Sequence, residues 1–464
     1  MVRDEGLRLI EGPTARPRQT PSELRALGAP RTPDLFDHAL SGAIVLGLLG
    51  LVGAACAGLG LHATIGAAAA AATSSALGLT LLGFGLLVAL RLVIQTGLWF
   101  RYRPFDSATF DDAPALTIII PAYNEGPMVA RSIESVLSAA YPRDRLEVFV
   151  VDDGSKDDTW THIQRAAARF PGLVTTVRFE KNRGKRAALE EGFRRAKGEV
   201  LVTIDSDSVI ERQTLLAAAG PFRDPRVGAV AGRVAVHNRS EGPIPQMLHV
   251  AFTLSFDFHR ATQSQYGTVY CCPGALTALR ASAVRAALDA WSKQSFLGVP
   301  CPAGEDRAMT NYVLAQGLDT VYQRSAVVHT VVPTTYSKLC KMYLRWDRSY
   351  IREELRLAWI LWRRPPVALA LTLFDAVLRN LSYPLRYLTV FLVVAAAVVE
   401  PLVLLTFAGA ITLGALFRML YFLRCERSSS FVWGVAYAFY YLFGLTWIFP
   451  YALVTVRARG WLTR

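Results

Sequence analysis

The segment LTIIIPAYNE (residues 116–125) joins a run of apolar residues to a loop that contains a tyrosine and a glutamate. An uninterrupted apolar run of this length is typical of a β-strand that is buried on both faces of a sheet. The following residues, 128–140, have apolar positions at helical spacing, and RLEVFVVDDGS (145–155) supplies a second buried strand that ends in acidic residues and a glycine. Strands that alternate with helices predict βαβ units and an α/β fold with a mostly parallel sheet.

Polar clusters follow the predicted strands, and ligands bind outside the carboxyl ends of the strands in such sheets. A further strand, EVLVTIDSDS (199–208), ends in Asp205 and Asp207. Two residues apart in an extended segment, these side chains would point to the same side and converge on one cation. One or two carboxylates plus phosphate oxygens is the usual manner of magnesium binding. The alternative to a metal site is a solvated, capped strand end, which is the more frequent role of an Asp-Ser-Asp tripeptide taken alone.

A basic, glycine-containing loop lies before the strand at 199–208 and leads into a predicted helix. The segment EKNRGKRAAL (180–189) places Lys181, Arg183, Lys185 and Arg186 around Gly184. Backbone N–H groups at a helix start, together with cationic side chains, suit a diphosphate. The alternative is a solvated N-terminal turn, although cations there oppose the helix dipole.

The apolar residues are unevenly distributed along the 464-residue chain, of which 52% is hydrophobic. Apolar runs at residues 40–61, 76–100, 387–406, 407–423 and 431–454 contain few charges. A bilayer crossing needs about 20 such residues. The sequence therefore predicts an integral membrane protein, with the alanine-rich stretch 67–72 as a loop or helix end between the first two spans.

Cysteine spacing and net charge exclude several other classes. The six cysteines show no C-x-x-C spacing, so neither a zinc site nor a disulfide framework is indicated. The net charge is +13, but no predicted helix carries a dense row of lysine and arginine residues. A bilayer surface or a phosphate-bearing substrate explains this charge as well as nucleic acid does, and we expect no nucleic-acid partner.

Six short motifs occur in one order: PAYNE, VDDGS, NRGKR, DSD, GED at residues 304–306, and RW at Arg345. In this order the chain resembles the processive family 2 glycosyltransferases, membrane enzymes that polymerise sugars from nucleotide donors. The resemblance covers residues 116–355. The segments 304–314, 329–355 and 271–280 are most similar to the hyaluronan synthases and the rhizobial chitooligosaccharide synthases, while 373–380 resembles the chitooligosaccharide branch more than the hyaluronan one. It implies a Rossmann-like sheet domain of the GT-A type, UDP-N-acetylglucosamine as a donor, and inversion at the anomeric carbon.

The resemblance also implies roles for individual residues. Asp306 would be the general base that takes the proton of the acceptor hydroxyl. Asp205 and Asp207 would hold Mg2+ or Mn2+, while Glu305 and Trp346 would bind the acceptor sugar. The donor would be bound by Tyr123, Glu125, Asp152, Asp153, Lys185, Asp205 and Arg345. One position departs from the family pattern, because Met342 stands where the family has glutamine three residues before the arginine.

The motifs and apolar runs together predict a domain order. We expect a flexible cytoplasmic tail (1–37), two transmembrane helices (38–100), a cytosolic glycosyltransferase domain (113–332), interfacial helices with the Arg-Trp motif (335–383) and C-terminal transmembrane helices (384–456). The helix at residues 244–263 fits an interfacial position or packing on the sheet equally well. The expected location is the plasma membrane, with the catalytic domain in the cytoplasm.

The predicted partners are a UDP-sugar, a growing polysaccharide that the same protein exports, and the lipid bilayer. Several alternatives stay open: a synthase that uses one sugar, such as a chitooligosaccharide synthase, one that also uses UDP-glucuronate, a non-processive polyprenyl-phosphate glycosyltransferase, and a non-catalytic transport or scaffold protein. Arg91 lies several residues inside the second apolar run and is the best candidate to line a polar passage, unless it reaches the interface instead. With three later spans, the basic segment 457–464 would lie outside the cell, against the positive-inside tendency, unless residues 365–383 add a membrane segment.

Overall fold

The computed structural model describes residues 33–66, 72–301 and 303–458, with side chains except at 55–66, 72–79, 81 and 82. The predicted tail up to residue 32 and the alanine-rich stretch 67–71 therefore lie outside the described residues. Five cysteines with described side chains, Cys271, Cys272, Cys301, Cys340 and Cys425, are all unbridged.

The α/β part of the chain is built on one large sheet. Its strands are β1 (Leu116–Ala122), β2 (Leu146–Asp152), β3 (Val174–Arg178), β4 (Val200–Ile204), β5 (Ser208–Ile210), β6 (Val227–Val236), β7 (Leu276–Arg280) and β10 (Asp319–Thr330), while β8 (Ser295–Phe296) and β9 (Val299–Pro300) pair separately. The spatial order is β3-β2-β1-β4-β7-β6-β10-β5. β1 pairs in parallel with β2 and β4, whereas β7 runs antiparallel to β4 and β6. The predicted mostly parallel α/β fold is confirmed.

Helices cover the sheet and make up the apolar segments before and after it. They are α1 (Leu35–Gly66), α2 (Ala72–Arg101), α3 (Met128–Leu137), α4 (Thr159–Ala168), α5 (Lys185–Arg195), α6 (Thr214–Ala219), α7 (Pro243–Leu254), α8 (Ala261–Ser264), α9 (Ala281–Ser292), α10 (Glu305–Ala315), α11 (Tyr336–Ile360), α12 (Pro366–Val399), α13 (Leu402–Cys425), α14 (Phe431–Tyr440) and α15 (Ile448–Val454). A π-helical turn, Ser255–Arg260, joins α7 to α8, and a second one, Tyr441–Leu445, extends α14.

The core lies between the sheet and its helices. Every residue of β1 is buried, as expected for a strand with both faces covered. On α3 the buried residues Val129, Ile133, Val136 and Leu137 recur at helical spacing, so one face of the helix packs against the sheet layer while the other faces solvent. The loops at the carboxyl ends of β1, β2 and β4 lie at one edge of this core, because the three strands are parallel neighbours.

Among the described residues, four helices are long and apolar enough to cross a membrane: α1, α2, α12 and α13. α14 with its π turn and α15 form a further apolar pair with a 41° bend between them. The C-terminal apolar runs differ from the sequence prediction, since α12 begins at Pro366 and the chain breaks at Glu400–Pro401, not after residue 406. A proline disfavours helical geometry in the residue before it, which places this break.

The expected division between interfacial and transmembrane helices, at residues 383 and 384, falls inside α12. Pro384 lies within that helix, where neighbouring groups can compensate for its missing N–H donor. The helical segment from 243 to 264 is largely buried between β6 and the helices α13 and α14. α11 instead ends in a surface-exposed region in which Trp359 and Trp362 face outward.

Candidate functional site

The candidate site lies at the carboxyl edge of the sheet. The loops that follow β1, β2 and β4 meet there, because these strands are parallel neighbours. β7 is antiparallel to β4, so the loop before β7 reaches the same edge. This loop contains Gly274, and a Cβ atom on Gly274 would lie 3.5 Å from Oδ1 of Asp205.

Asp153 organises the basic loop that precedes α5. Its Oδ1 accepts a hydrogen bond from the Arg183 N–H (2.7 Å), and its Oδ2 accepts from the Gly184 N–H (2.8 Å) and from Nδ2 of Asn182 (2.9 Å). Burial raises the pKa of Asp153, although these N–H donors oppose the rise. The loop passes so close to Gly154 that a Cβ there would lie 2.6 Å from the Lys181 carbonyl carbon. The carboxylate of Asp153 therefore shapes this loop from within.

Asp152 is fully buried beside Asp153 at the end of β2. Its Oδ1 accepts from the Ser155 N–H (2.9 Å), and its Oδ2 lies 3.2 Å from Nε of Arg178. That Asp152 and Asp153 bind the sugar donor remains a prediction. In the structure, Asp152 holds the loop after β2 and Asp153 holds the loop before α5.

The loop after β1 holds the predicted residues Tyr123 and Glu125, both half-buried. Thr159, the first residue of α4, accepts hydrogen bonds through Oγ1 from the N–H groups of Glu125 (2.9 Å) and Gly126 (2.8 Å). Ser155 Oγ accepts from the Asn124 N–H at 3.0 Å. The loops after β1 and β2 are thus joined, and Thr159 is a residue that the sequence reasoning missed.

Lys185, Asp205 and Glu305 form a charged cluster that joins three separate segments. Lys185 Nζ lies 2.5 Å from Oδ1 of Asp205 and 3.1 Å from Oε1 of Glu305. Burial opposes the charge of Lys185, but the two carboxylates outweigh it and raise the lysine pKa. Burial likewise opposes ionisation of Glu305, and Lys185 reverses the effect, so that the Glu305 pKa is lowered. Lys185 and Glu305 are therefore both charged at neutral pH.

The extended geometry assumed for Asp205 and Asp207 is not found. The chain turns after β4, and the Ser208 N–H donates to the Asp205 carbonyl at 3.0 Å. The side chain of Asp207 is buried, with its Oδ1 accepting from Ser208 Oγ at 3.1 Å and Thr330 Oγ1 at 3.4 Å. Within the described part of the chain, no group of three His, Cys, Asp or Glu side chains is placed to hold a metal ion.

Asp306 lies in the first turn of α10, beside the charged cluster. Its Oδ2 accepts from the Gly274 N–H at 3.2 Å and lies 3.8 Å from Sγ of Cys271, and its Oδ1 accepts from the Arg307 N–H at 2.7 Å. Burial and the adjacent Glu305 carboxylate raise the pKa of Asp306. A carboxylate with a raised pKa at a sheet edge is suited to accept a proton.

Comparison with known proteins agrees with this geometry. Residues 117–288 match the model of glycosyl transferase family 2. Hyaluronan synthase from Streptococcus pyogenes is 30% identical over 386 residues, which cover 82% of this chain and 90% of the relative. The chain belongs to glycosyltransferase family 2.

Other proteins are similar to this chain in sequence or in fold. The N-acetylglucosaminyltransferase of Rhizobium meliloti is 34% identical to this glycosyltransferase over 279 residues, covering 60% of the chain and 64% of the relative. A mannosyltransferase from Pyrobaculum calidifontis, solved in complex with GDP-mannose and Mn2+, has a similar fold: the TM-score is 0.54 at 24% identity, covering 77% of this chain and 97% of that one.

The Arg-Trp motif of this glycosyltransferase lies on α11, which packs against α10. Trp346 is 41% exposed, with ring centroids 6.1 Å from Phe252 and 5.6 Å from Tyr343. Arg345 is half-buried on the same turn. Met342 packs against the apolar cluster that contains Leu339 and Leu445, so the position where the family has glutamine supports packing in this chain.

Two arginines lie in surroundings other than those expected from the sequence. Arg186 turns away from the loop: its guanidinium lies 4.9 Å from the Trp291 ring centroid and donates to the Trp291 carbonyl at 2.6 Å, so it supports the fold. Arg91 is paired within the helical region, because its Nε lies 2.7 Å from Oδ1 of Asp375 on α12.

Proposed function

We propose that this glycosyltransferase is a membrane-embedded, inverting synthase that transfers sugars from UDP-activated donors, UDP-N-acetylglucosamine among them, to a growing β-linked polysaccharide and exports the product. The observation that carries the proposal is Asp306, which holds the Gly274 N–H beside the Lys185–Asp205–Glu305 cluster. The match to hyaluronan synthase over 90% of that relative supports the same reading.

The proposed reaction is a single displacement. The acceptor hydroxyl oxygen attacks the anomeric carbon, Asp306 takes the hydroxyl proton, and the bond between that carbon and the UDP oxygen breaks. Lys185 stabilises negative charge on the departing diphosphate, as a preorganised cation does in an enclosed site. Because attack and departure occur on opposite faces, an α-linked donor gives a β-linked product.

The donor set is compatible with a divalent cation. Magnesium is commonly held by one or two carboxylates, with phosphate oxygens and water completing its shell, so three protein ligands are not required. Asp205 and Asp207 are the residues proposed to hold Mg2+ or Mn2+. Asp205 already lies beside Lys185, whereas Asp207 would have to turn toward the ion from its contacts with Ser208 and Thr330. When bound, the ion would neutralise charge on the diphosphate leaving group. Oδ1 of Asp205 lies 2.5 Å from Lys185 Nζ, so this carboxylate faces the cationic group that is proposed to meet the diphosphate.

On the acceptor side, Trp346 is proposed to stack on a sugar ring, and Glu305 to bind a hydroxyl. A partly exposed indole offers an apolar face to the C–H surface of a sugar and an N–H donor to its hydroxyl groups. Arg345, a planar and permanently charged group, is proposed to meet the diphosphate. Tyr123, Glu125, Asp152 and Asp153 are proposed to place the uridine.

We further propose that α1, α2, α12 and α13 cross the plasma membrane and that the catalytic domain is cytoplasmic. The bent pair α14–α15 would then enter and leave on the catalytic side. α14 packs against α7, and beyond α15 the Thr455 Oγ1 accepts from Nε of Arg348 at 3.2 Å. This arrangement keeps Arg457 on the cytoplasmic side, in agreement with the positive-inside rule.

The donor and product are tested with membranes that contain the full chain. Radiolabelled UDP-N-acetylglucosamine is supplied with and without UDP-glucuronate, and product size is measured. A long polymer only with both donors supports a hyaluronan-type product, and an oligomer from one donor supports the chitooligosaccharide alternative. We expect EDTA to abolish transfer and Mg2+ or Mn2+ to restore it. A single sugar on lipid under metal-replete conditions would contradict the proposal.

The pH dependence of transfer should reflect the raised pKa of Asp306. The base works only when unprotonated, and a raised pKa means that protonation begins at higher pH as the pH falls. We therefore expect the acid limb of kcat to lie above the ordinary aspartate value of about 3.9. The measurement is initial rate against pH at saturating donor, with UDP binding followed over the same range. A limb at the ordinary aspartate value would contradict the assigned environment of Asp306.

A further inference from the structure

Two adjacent glutamates of α11, Glu353 and Glu354, hold α10 from one side. Nδ2 of Asn311 donates to Oε2 of Glu353 at 3.0 Å and to its carbonyl at 2.9 Å. Nη2 of Arg307 donates to Oε2 of Glu354. Arg307 and Asn311 are four residues apart and therefore lie on one face of α10. The start of this helix is thus bound to α11 at two successive turns.

Glu354 also binds the membrane helix α12. Its Oε1 accepts from Nη2 of Arg379 at 2.5 Å and from Nδ2 of Asn380 at 3.0 Å. The carboxylate is only 11% exposed, and the guanidinium groups of Arg307 and Arg379 lie on either side of it. Burial opposes ionisation, but these two cations outweigh it and hold the Glu354 pKa below its usual range. One charged carboxylate thus joins α10 to α12.

The chain of contacts continues into the membrane part of the protein. Arg379 Nη1 lies 2.8 Å from Oδ2 of Asp375, and the other carboxylate oxygen of Asp375 accepts from Arg91 Nε on α2. At the opposite end, Arg307 directly follows Asp306 and donates its backbone N–H to that carboxylate. Glu354 therefore occupies the junction between the base and the helices α2 and α12.

We propose that Glu354 is a positioning residue of the transfer reaction, which keeps α10 and its base Asp306 in register with the membrane helix α12. This inference rests on the proposed function. Glu354 touches neither donor nor acceptor in this scheme, and it acts through Arg307.

The physical reason lies in the charges on either side of Glu354. Without its negative charge, Arg307 and Arg379 would face each other in an enclosed space with one compensating carboxylate fewer. Arg307 would then shift, and the first turn of α10 would move with it. A displacement of about 1 Å at a reacting group can cost about 100-fold in rate.

The test is Glu354→Gln in the full-length membrane protein, with kcat, donor KM and equilibrium binding of UDP measured. We expect kcat to fall about 10- to 100-fold while donor KM and the UDP dissociation constant change by less than about threefold, because the donor loops are held elsewhere. Glu134→Gln is the matched control. It removes the same charge from a Glu–Arg pair, but at an exposed site on α3 opposite Arg169, and should leave kcat unchanged.

A double variant separates positioning through Arg307 from a general loss of structure. If Glu354 acts through Arg307, then Arg307→Gln and the double variant should have the same kcat, since the second change removes nothing further. Additive losses would overturn the proposal, as would a Glu354→Gln enzyme as fast as the Glu134→Gln control. If Glu354→Gln loses UDP binding, the Arg307→Gln variant becomes the deciding test, because it leaves Glu354 paired with Arg379. An unchanged kcat in Arg307→Gln would then overturn the proposal. Failure of the proposed function itself is distinct, because the unaltered chain would then transfer no sugar.

Discussion

Asp306→Asn is expected to reduce sugar transfer by about 100- to 10,000-fold, the range that general bases contribute. Asparagine has almost the same shape, and its amide oxygen can still accept the hydrogen bond from Gly274 N–H. It cannot take the proton of the acceptor hydroxyl. Because Lys185 and Asp205 are untouched, UDP binding should remain within about threefold of the unaltered protein.

The measurements are kcat for polymer formation and equilibrium binding of UDP. Asp144→Asn is a suitable control, since that side chain is 81% exposed near the start of β2 and lies outside the site. Retained turnover in Asp306→Asn would contradict the base assignment. Loss of both turnover and UDP binding would instead indicate that Asp306 holds the donor.

Gly304→Ala, which adds a single methyl group, is expected to reduce both stability and activity more than any other such addition at the site. Gly304 has φ +85°, and a Cβ there would lie 2.6 Å from the Cβ of Ser349 on α11 and closer still to the Ser349 hydroxyl. The left-handed backbone alone costs an alanine about 1–3 kcal/mol. The overlap adds a similar amount, about 1–3 kcal/mol, because α10 and α11 would have to separate.

The separation would move Asp306, two residues after Gly304, relative to the Arg-Trp motif on α11. We therefore expect kcat to fall about 100-fold together with a lower thermal midpoint. Gly172→Ala is the matched control, since Gly172 has φ +83° but a Cβ there meets nothing within 4 Å. It isolates the backbone cost. Equal loss of activity in the two variants would exclude close packing at Gly304 as the cause.

Much of this site follows from short segments read one at a time. The buried strand at 116–122, the acidic ends of β2 and β4, and the helix start at Lys185 were all predicted from local patterns. The resemblance placed Asp306 in a site role, and the structure brings it to Gly274 and to the charged cluster. Its base role remains a prediction.

Long-range pairing was the part that local patterns could not provide. Asp205 and Asp207 were expected in an extended segment, but the backbone turns at Asp205 and sends one side chain toward Lys185 and the other toward Thr330. Arg186 was grouped with the basic loop, yet it packs on Trp291, more than a hundred residues away. Neither placement leaves a periodic signal in the chain.

By itself, the sequence determined the α/β fold, the apolar helices and the motifs at the carboxyl edge, because strand and helix periodicity and turn chemistry act over a few residues. Only the tertiary structure decided which charges meet. Lys185 with Glu305, Glu354 with Arg307 and Arg379, and Arg91 with Asp375 are joined across 25 to 284 residues of chain. A buried charge is stable only beside a counter-charge, and that counter-charge is fixed by how the helices pack.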